Sequence, residues 1–452
     1  MLRALRDADW LTGSRARAYA VILAILLLVS AGVVVHARMR EAAQHPHHLP
    51  EATDFLPFYT AGRLAATGRP ADAYRLSVLV HEEQARAIMQ GGSLPFLYPP
   101  PMLLLCAAVS ALPFALAWLA FEAVGLVPLV WALRRVLPQR WALFPLLTAP
   151  AVLMNLGSGQ TGFLTAACFA WAAVLLDARP ALAGVVLGLL VAKPHLAVLI
   201  PVALFAARRW RAAAACAAAA ATLCAVSWLV FGSSTWTAFL AQAPLAREVL
   251  EQWPADWRIL LSGYGAVRVL GGGVALAYAA QAVLALVATA LLATTTLRRP
   301  GGPAEMSMLA AAALFATPYG MDYDLPILLL PAVWIVGLAQ RSGWRGWEKI
   351  TLSALFVLPL FVRASSLLLG VPVAPPVLGA VLWVTQGRGR RPGALPVDPA
   401  GAGGPRPHFY AAPVAFEENS RRAYVGLWPS CEARRGVTTP AGPGQNPGLL
   451  PL

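Results

Sequence analysis

Charge is what this sequence has least of: 12% of its 452 residues are Asp, Glu, Lys or Arg, against about 25% in soluble globular chains. With 58% apolar residues, that is the composition of a chain built for lipid. Lysine is nearly missing; Lys193 and Lys349 are the two among 35 basic residues. Segments that alternate apolar and polar residues are absent, which excludes a transmembrane barrel. Five cysteines show neither CxxC spacing nor a pairing pattern. Cys106, Cys168, Cys216 and Cys224 lie inside apolar runs and read as small buried hydrophobes, and Cys431 lies in the tail. No metal-ligand spacing is evident. His45, His47 and His48 form a Pro-interrupted triplet without a defined geometry, so no metal site is expected.

What is present is a series of apolar runs between residues 18 and 385. A membrane span needs about 20 such residues, and the lack of water in lipid forces each span to close its own backbone hydrogen bonds as a helix. The fold class that follows is an all-α polytopic membrane protein with about 10–12 transmembrane helices. Several runs are too short to cross unaided and read as tilted, re-entrant or broken helices. The net charge of +14 does not form one basic face. Its arginines fall in short clusters between spans (Arg134/Arg135, Arg208/Arg209/Arg211, Arg298/Arg299, Arg341/Arg345), as the positive-inside rule produces. A nucleic-acid partner is therefore not expected. The N-terminal arginines Arg3, Arg6, Arg15 and Arg17 precede an apolar run with a weak cleavage site, read as an uncleaved first span.

Two hydrophilic breaks, 36–96 and 232–268, read as external loops of a membrane domain covering 1–386. From Gly387 onward the chain is rich in Pro, Gly and Arg with no apolar period, and is expected to be a disordered cytoplasmic tail. If the N-terminus and the arginine clusters face the cytoplasm, then Asp54, Asn155–Gln160 and Pro318–Asp324 face outward.

Four polar islands interrupt this background. Asp54 lies among Phe55, Phe58 and Tyr59, followed by Arg63; a carboxylate near a bilayer surface is a candidate catalytic base, although a solvated loop with aromatic anchors carries the same residues. Asn155 and Gln160 flank a glycine-rich turn and offer amides suited to sugar hydroxyls; a plain flexible turn is the alternative. Lys193-Pro194-His195 interrupts the run 181–207. A cation inside an apolar run implies function and an anionic partner, unless it snorkels to a short loop. Thr317-Pro318-Tyr319-Gly320-Met321-Asp322-Tyr323-Asp324 opens a late span and could orient polar groups or simply start a helix.

Taken in order, with Tyr98-Pro99-Pro100 between the first two, these islands resemble bacterial glycosyltransferase family 87, within the polytopic GT-C superfamily that uses polyprenyl-phosphate sugars. The resemblance runs over about 18–338. It implies an inverting transfer of a hexose, most commonly mannose, from a polyprenyl-phosphate donor to a glycolipid or glycan acceptor at the extracytoplasmic side of the inner membrane. Asp54 would be the base, and Lys193 with His195 would meet the donor phosphate. Tyr59, Arg63, Tyr98, Asn155, Gln160, Tyr319, Asp322 and Asp324 would contact sugar or acceptor. No cofactor is implied, since the lipid-linked sugar is a substrate. A membrane transporter or lipid-linked-sugar flippase is the rival; it predicts internal repeats, and no convincing repeat relates the two halves.

Overall fold

The computed structural model describes residues 2–44, 54–87, 95–137, 147–253 and 257–390. The His45–His48 island and the chain from 391 onward lie outside the described residues. Among those described there is no strand, only an isolated bridge between Leu260 and Met321.

The helices used below are α1 (Gly13–Gln44), α2 (Leu56–Ala66), α3 (Pro100–Val109), α4 (Phe114–Val136), α5 (Pro150–Ser158), α6 (Gly162–Leu175), α7 (Pro180–Gly188), α8 (Pro194–Ala206), α9 (Trp210–Ala241) and α10 (Ala243–Gln252). There follow α11 (Val274–Thr296), α12 (Gly302–Ala316), α13 (Leu329–Ser342), α14 (Glu348–Ala364) and α15 (Ala374–Arg390). Six helical stretches among the described residues are long and apolar enough to cross a membrane, and five shorter apolar ones accompany them. The protein is an all-α polytopic membrane protein.

α4 and α11 have 23 residues each, about 35 Å at 1.5 Å per residue, enough to span a hydrocarbon core of about 30 Å. α6 and α12 have 14 and 15 residues, only about 21–23 Å. α7, prolonged by a 3-10 turn over Leu189–Ala192, and α8 are similarly short. Pro180, Pro194 and Pro303 each stand in a first turn, where a missing N–H is harmless. Pro194 also ends the segment before it, which is why the run 181–207 is two helices rather than one long span.

Chain direction then sorts the polar groups. α4 ends at Arg134/Arg135, α8 runs into Arg208/Arg209, α11 runs into Arg298/Arg299, and α13 ends at Arg341. These clusters share one end of the bundle, where Arg209 bridges Asp177 (2.6 Å) and Glu305 (2.7 Å). Asp54, Gln160, Lys193 and Thr317–Asp324 all lie at helix ends pointing the other way. The helices that carry them are short, and hydrogen bonds bring these residues together at those ends.

α12 forms the centre: every side chain from Gly302 to Phe315 is buried, as expected of a helix apolar on all faces. The 97–133 region resolves into the short α3, tucked against α2, and the full-length α4. The break at 232–268 is itself mostly helical, with a sharp bend at Gly232 in α9. α15 continues through Arg390, past the boundary expected at Gly387. The reason is a buried ion pair between Arg388 and Glu348, which adds bonds to Ser342 Oγ (2.8 Å) and the Gly343 carbonyl (2.8 Å).

Candidate active site

Asp54 lies just before Phe55, the residue that caps α2; Phe55 and the helix residues Phe58, Ala61 and Leu64 recur at threefold spacing and are all buried. The Phe55 ring lies 5.5 Å from Phe114 and 5.3 Å from Phe121, and Phe58 lies 5.2 Å from Phe121 and 4.9 Å from Tyr98. Offset and tilted ring pairs of this kind each contribute about 0.5–1.5 kcal/mol beyond area burial. Asp54 is thus held by a rigid aromatic base rather than by a loose loop.

From Lys193 a hydrogen-bonded line runs to Asp54, and the chemistry of its members fixes its direction. Lys193 has only donors, so Nζ donates to Thr161 Oγ1 (2.9 Å) and to Asp324 Oδ1 (2.5 Å). Thr161 then spends its own proton on Tyr98 Oη (3.3 Å), and Tyr98 donates to Gln160 Oε1 (3.3 Å). With its oxygen taken, Gln160 turns its amide nitrogen to Asp54 Oδ2, a long contact of 3.5 Å. Every donor points toward the carboxylate, and such chains strengthen one another. Burial, the largest cause, holds the Tyr98 phenol above its usual range, so Tyr98 stays protonated and remains a donor.

Burial is also the largest influence on Asp54 and raises its pKa above the usual carboxylate range; the Gln160 amide and the Arg363 charge pull it down, and Asp322 pushes it up. Three aspartates meet here, and two carry a cation. Asp324 is paired with Lys193, both almost wholly buried. Asp322 is buried and receives Arg363 Nε at 2.5 Å and Nη2 at 3.3 Å, while the Arg363 side chain stays 47% exposed. Asp54 has no ion-pair partner among the described residues.

Several expected contacts take another form. Asn155 is fully buried and all of its amide is used: Nδ2 donates to Glu122 Oε2 (3.1 Å) and the Gln160 carbonyl (3.3 Å), and Oδ1 accepts from the Gly162 N–H (3.1 Å). It stands behind the turn and holds Gln160 in place, where its sequence suggested sugar contact. Gly162 lets that turn meet the late island, since a Cβ there would lie 2.0 Å from the Tyr323 carbonyl oxygen. Tyr59 donates to the Leu112 carbonyl (3.2 Å), and Arg63 is exposed on α2; neither joins the line. Tyr319 donates to the Ala246 carbonyl (3.2 Å) and its ring lies 6.1 Å from His195, whose buried Nε2 has no partner among the described residues. Lys193 also lies 5.1 Å from the Tyr323 ring centroid. Asp322 and Asp324 hold cations instead of facing open space.

Sequence reasoning missed Thr161, Glu122 and Arg363 as members of the site. Glu122 and Arg363 did carry a signal, as the charged residues inside otherwise apolar runs. Thr161 carried none beyond its place in the glycine-rich island.

Fold and site together define a polytopic membrane protein with a largely buried polar site of three aspartates and two cations at one end of its bundle. The family model described as Glycosyltransferase family 87 matches residues 96–319. The chain belongs to glycosyltransferase family 87 and is a membrane glycosyltransferase. The matched segment contains Tyr98, Gln160, Thr161, Lys193, His195 and Tyr319; Asp54, Asp322, Asp324 and Arg363 flank it. No curated protein and no solved structure matched the chain.

Proposed function

We propose that this glycosyltransferase moves a hexose, with mannose the first candidate, from a polyprenyl-phosphate donor to a hydroxyl of a glycolipid or glycan acceptor, with inversion at the anomeric carbon. The carrying observation is the charge pattern: of the three aspartates at the site, Asp54 is the one without a cation among the described residues. Its one hydrogen bond among the described residues, from Gln160, leaves lone pairs for a substrate proton. A raised proton affinity suits a general base, which works best when its pKa approaches the working pH.

In the step proposed, the acceptor oxygen forms a bond to the anomeric carbon as its proton passes to Asp54. The bond from that carbon to the donor phosphate oxygen breaks, and the electron pair leaves with polyprenyl phosphate. The leaving group then carries additional negative charge and needs a cation near it. Sequence alone pointed to Lys193 for this role. In the fold Lys193 is already neutralised by Asp324 and nearly inaccessible, which argues for it as the anchor of the hydrogen-bonded line. Arg363 fits the phosphate better. Asp322 occupies Nε and one Nη2 hydrogen, so three of the five guanidinium donors have no partner among the described residues. The buried Nε2 of His195, without a partner among the described residues, offers a second polar contact two positions from Lys193.

Side chains alone supply this chemistry, with the lipid-linked sugar as substrate. The orientation in which the arginine clusters face the cytoplasm would put the site on the extracytoplasmic side. The test is sugar transfer in membranes from a radiolabelled polyprenyl-phosphate hexose. Asp54→Asn should lower kcat by about 10²–10⁴-fold; equal rates in the variant and the parent overturn the base assignment. Arg363→Gln should raise the donor KM and lower kcat, and Arg363→Lys should recover part of both. Unchanged donor kinetics in Arg363→Gln would return the phosphate to Lys193 or His195.

A further inference from the structure

The break at 232–268 touches the site described above only through backbone contacts to Tyr319, Gly320 and Met321, and its first part lines a groove away from Asp54. α9 crosses from the arginine end as far as Phe231, and then Gly232 takes φ 78° and ψ 168°. That backbone is available to glycine and strained for any other residue. The second half of α9, beyond the bend, lines a groove of about 690 Å³ whose polar wall is Tyr74, Arg75, Ser233, Ser234, Thr237 and Gln242, with three aliphatic side chains completing it. Its volume is that of a small-molecule site.

Two of its walls carry unsatisfied groups. Gln242 is 7% exposed, and neither the nitrogen nor the oxygen of its amide has a partner among the described residues. The Tyr74 hydroxyl, 4% exposed, has none either. Buried polar atoms are unfavourable unless something hydrogen-bonds to them. A buried side-chain amide with neither end partnered among the described residues, beside three hydroxyl side chains, matches a ligand whose groups donate and accept at once, namely a polyhydroxylated one. The one cation lining the groove already has a carboxylate on it, so the buried groups there that lack a partner among the described residues are neutral. Arg75, the cation in the groove, is paired with Asp72 at 2.9 Å, and Asp72 also receives Arg69 at 2.8 Å.

The groove also adjoins the reaction site. Tyr74 lies 5.7 Å from Phe96, and Phe96 lies 5.8 Å from Tyr98, the phenol that orients Gln160. One aromatic ring therefore stands between the groove wall and the line that ends on Asp54. Tyr74 also packs 5.6 Å from Phe239 on the second half of α9. We infer that this groove is a carbohydrate subsite that binds sugar units of the acceptor beyond the one carrying the reacting hydroxyl. The acceptor role rests on the transferase reading above; the binding of neutral carbohydrate does not.

The test uses the full chain in nanodiscs of phosphatidylcholine, with mannotriose as probe and saturation-transfer NMR as readout, followed by transfer kinetics. Mannotriose should bind the parent, and Gln242→Leu and Thr237→Val should each weaken it by about tenfold, as loss of a ligand hydrogen bond does. Both changes replace a polar group by an apolar one of like size, so folding is expected and is checked by the Tm. Acceptor KM should rise with donor KM and kcat unchanged. No binding to the parent, or equal binding by Gln242→Leu, overturns the subsite, as does displacement of mannotriose by added phosphatidylglycerol. The two readings fail separately. Asp54→Asn with normal transfer but intact Gln242-dependent binding removes the base and keeps the subsite; the reverse pattern keeps the base and removes the subsite.

Discussion

At the scale of single residues, an apolar chain makes its functional groups legible and their partners illegible. Asp54, Gln160, Lys193 and Asp324 stood out because a polar residue among Ala, Leu and Val needs a reason, and all four lie on one connected set of contacts. What they bond to could not be read, because Lys193 and Asp324 are 131 positions apart and Asp322 and Arg363 are 41 apart. Arg363 is not among the sequence candidates for that reason. The Lys193–Asp324 pair makes a prediction of its own. Lys193→Met alone leaves a buried carboxylate without its cation and should cost about 3–5 kcal/mol, whereas replacing both members, as Lys193→Met with Asp324→Leu, should restore most of it. Thermal unfolding in detergent reads this, and a double variant no more stable than the single one would show that the pair is not the source of the loss.

At the scale of elements, the apolar runs announced the helices and the prolines announced where several begin. The bend at Gly232 and the close approach at Gly162 were not announced, since a glycine in sequence does not say which neighbour comes near. Gly162→Ala places a methyl group 2.0 Å from the Tyr323 carbonyl oxygen. Either α6 or the Asp322–Leu328 turn must shift, and with it Gln160 and Asp324. The variant should lower kcat far more than it changes either KM, because a displacement of about 1 Å can cost on the order of 100-fold in rate. A parent-like kcat would mean that the turn has slack there.

At the scale of the whole molecule, helix direction and the arginine clusters gave the arrangement. The runs that read in the sequence as too short to cross unaided are α6, α7, α8 and α12 in the structure, and the site residues lie at the ends of these helices. The proposed sidedness is testable in cells or right-side-out vesicles carrying a variant with its native cysteines replaced. A cysteine at exposed Arg63 should react with a membrane-impermeant maleimide added outside, and one at exposed Arg298 should react only after permeabilisation. The opposite pattern would put the site on the cytoplasmic side.

The account turns on Asp54 as the group that takes the acceptor proton. The measurement closest to that is the pH dependence of sugar transfer in proteoliposomes, parent against Asp54→Asn. Because burial raises the Asp54 pKa, the parent rate should fall as pH drops through a value above the ordinary carboxylate range, where the base becomes protonated and can no longer accept. Asp54→Asn should retain only a small residual rate that lacks this acid limb. An acid limb that survives unchanged in Asp54→Asn, at comparable rate, would contradict the assignment.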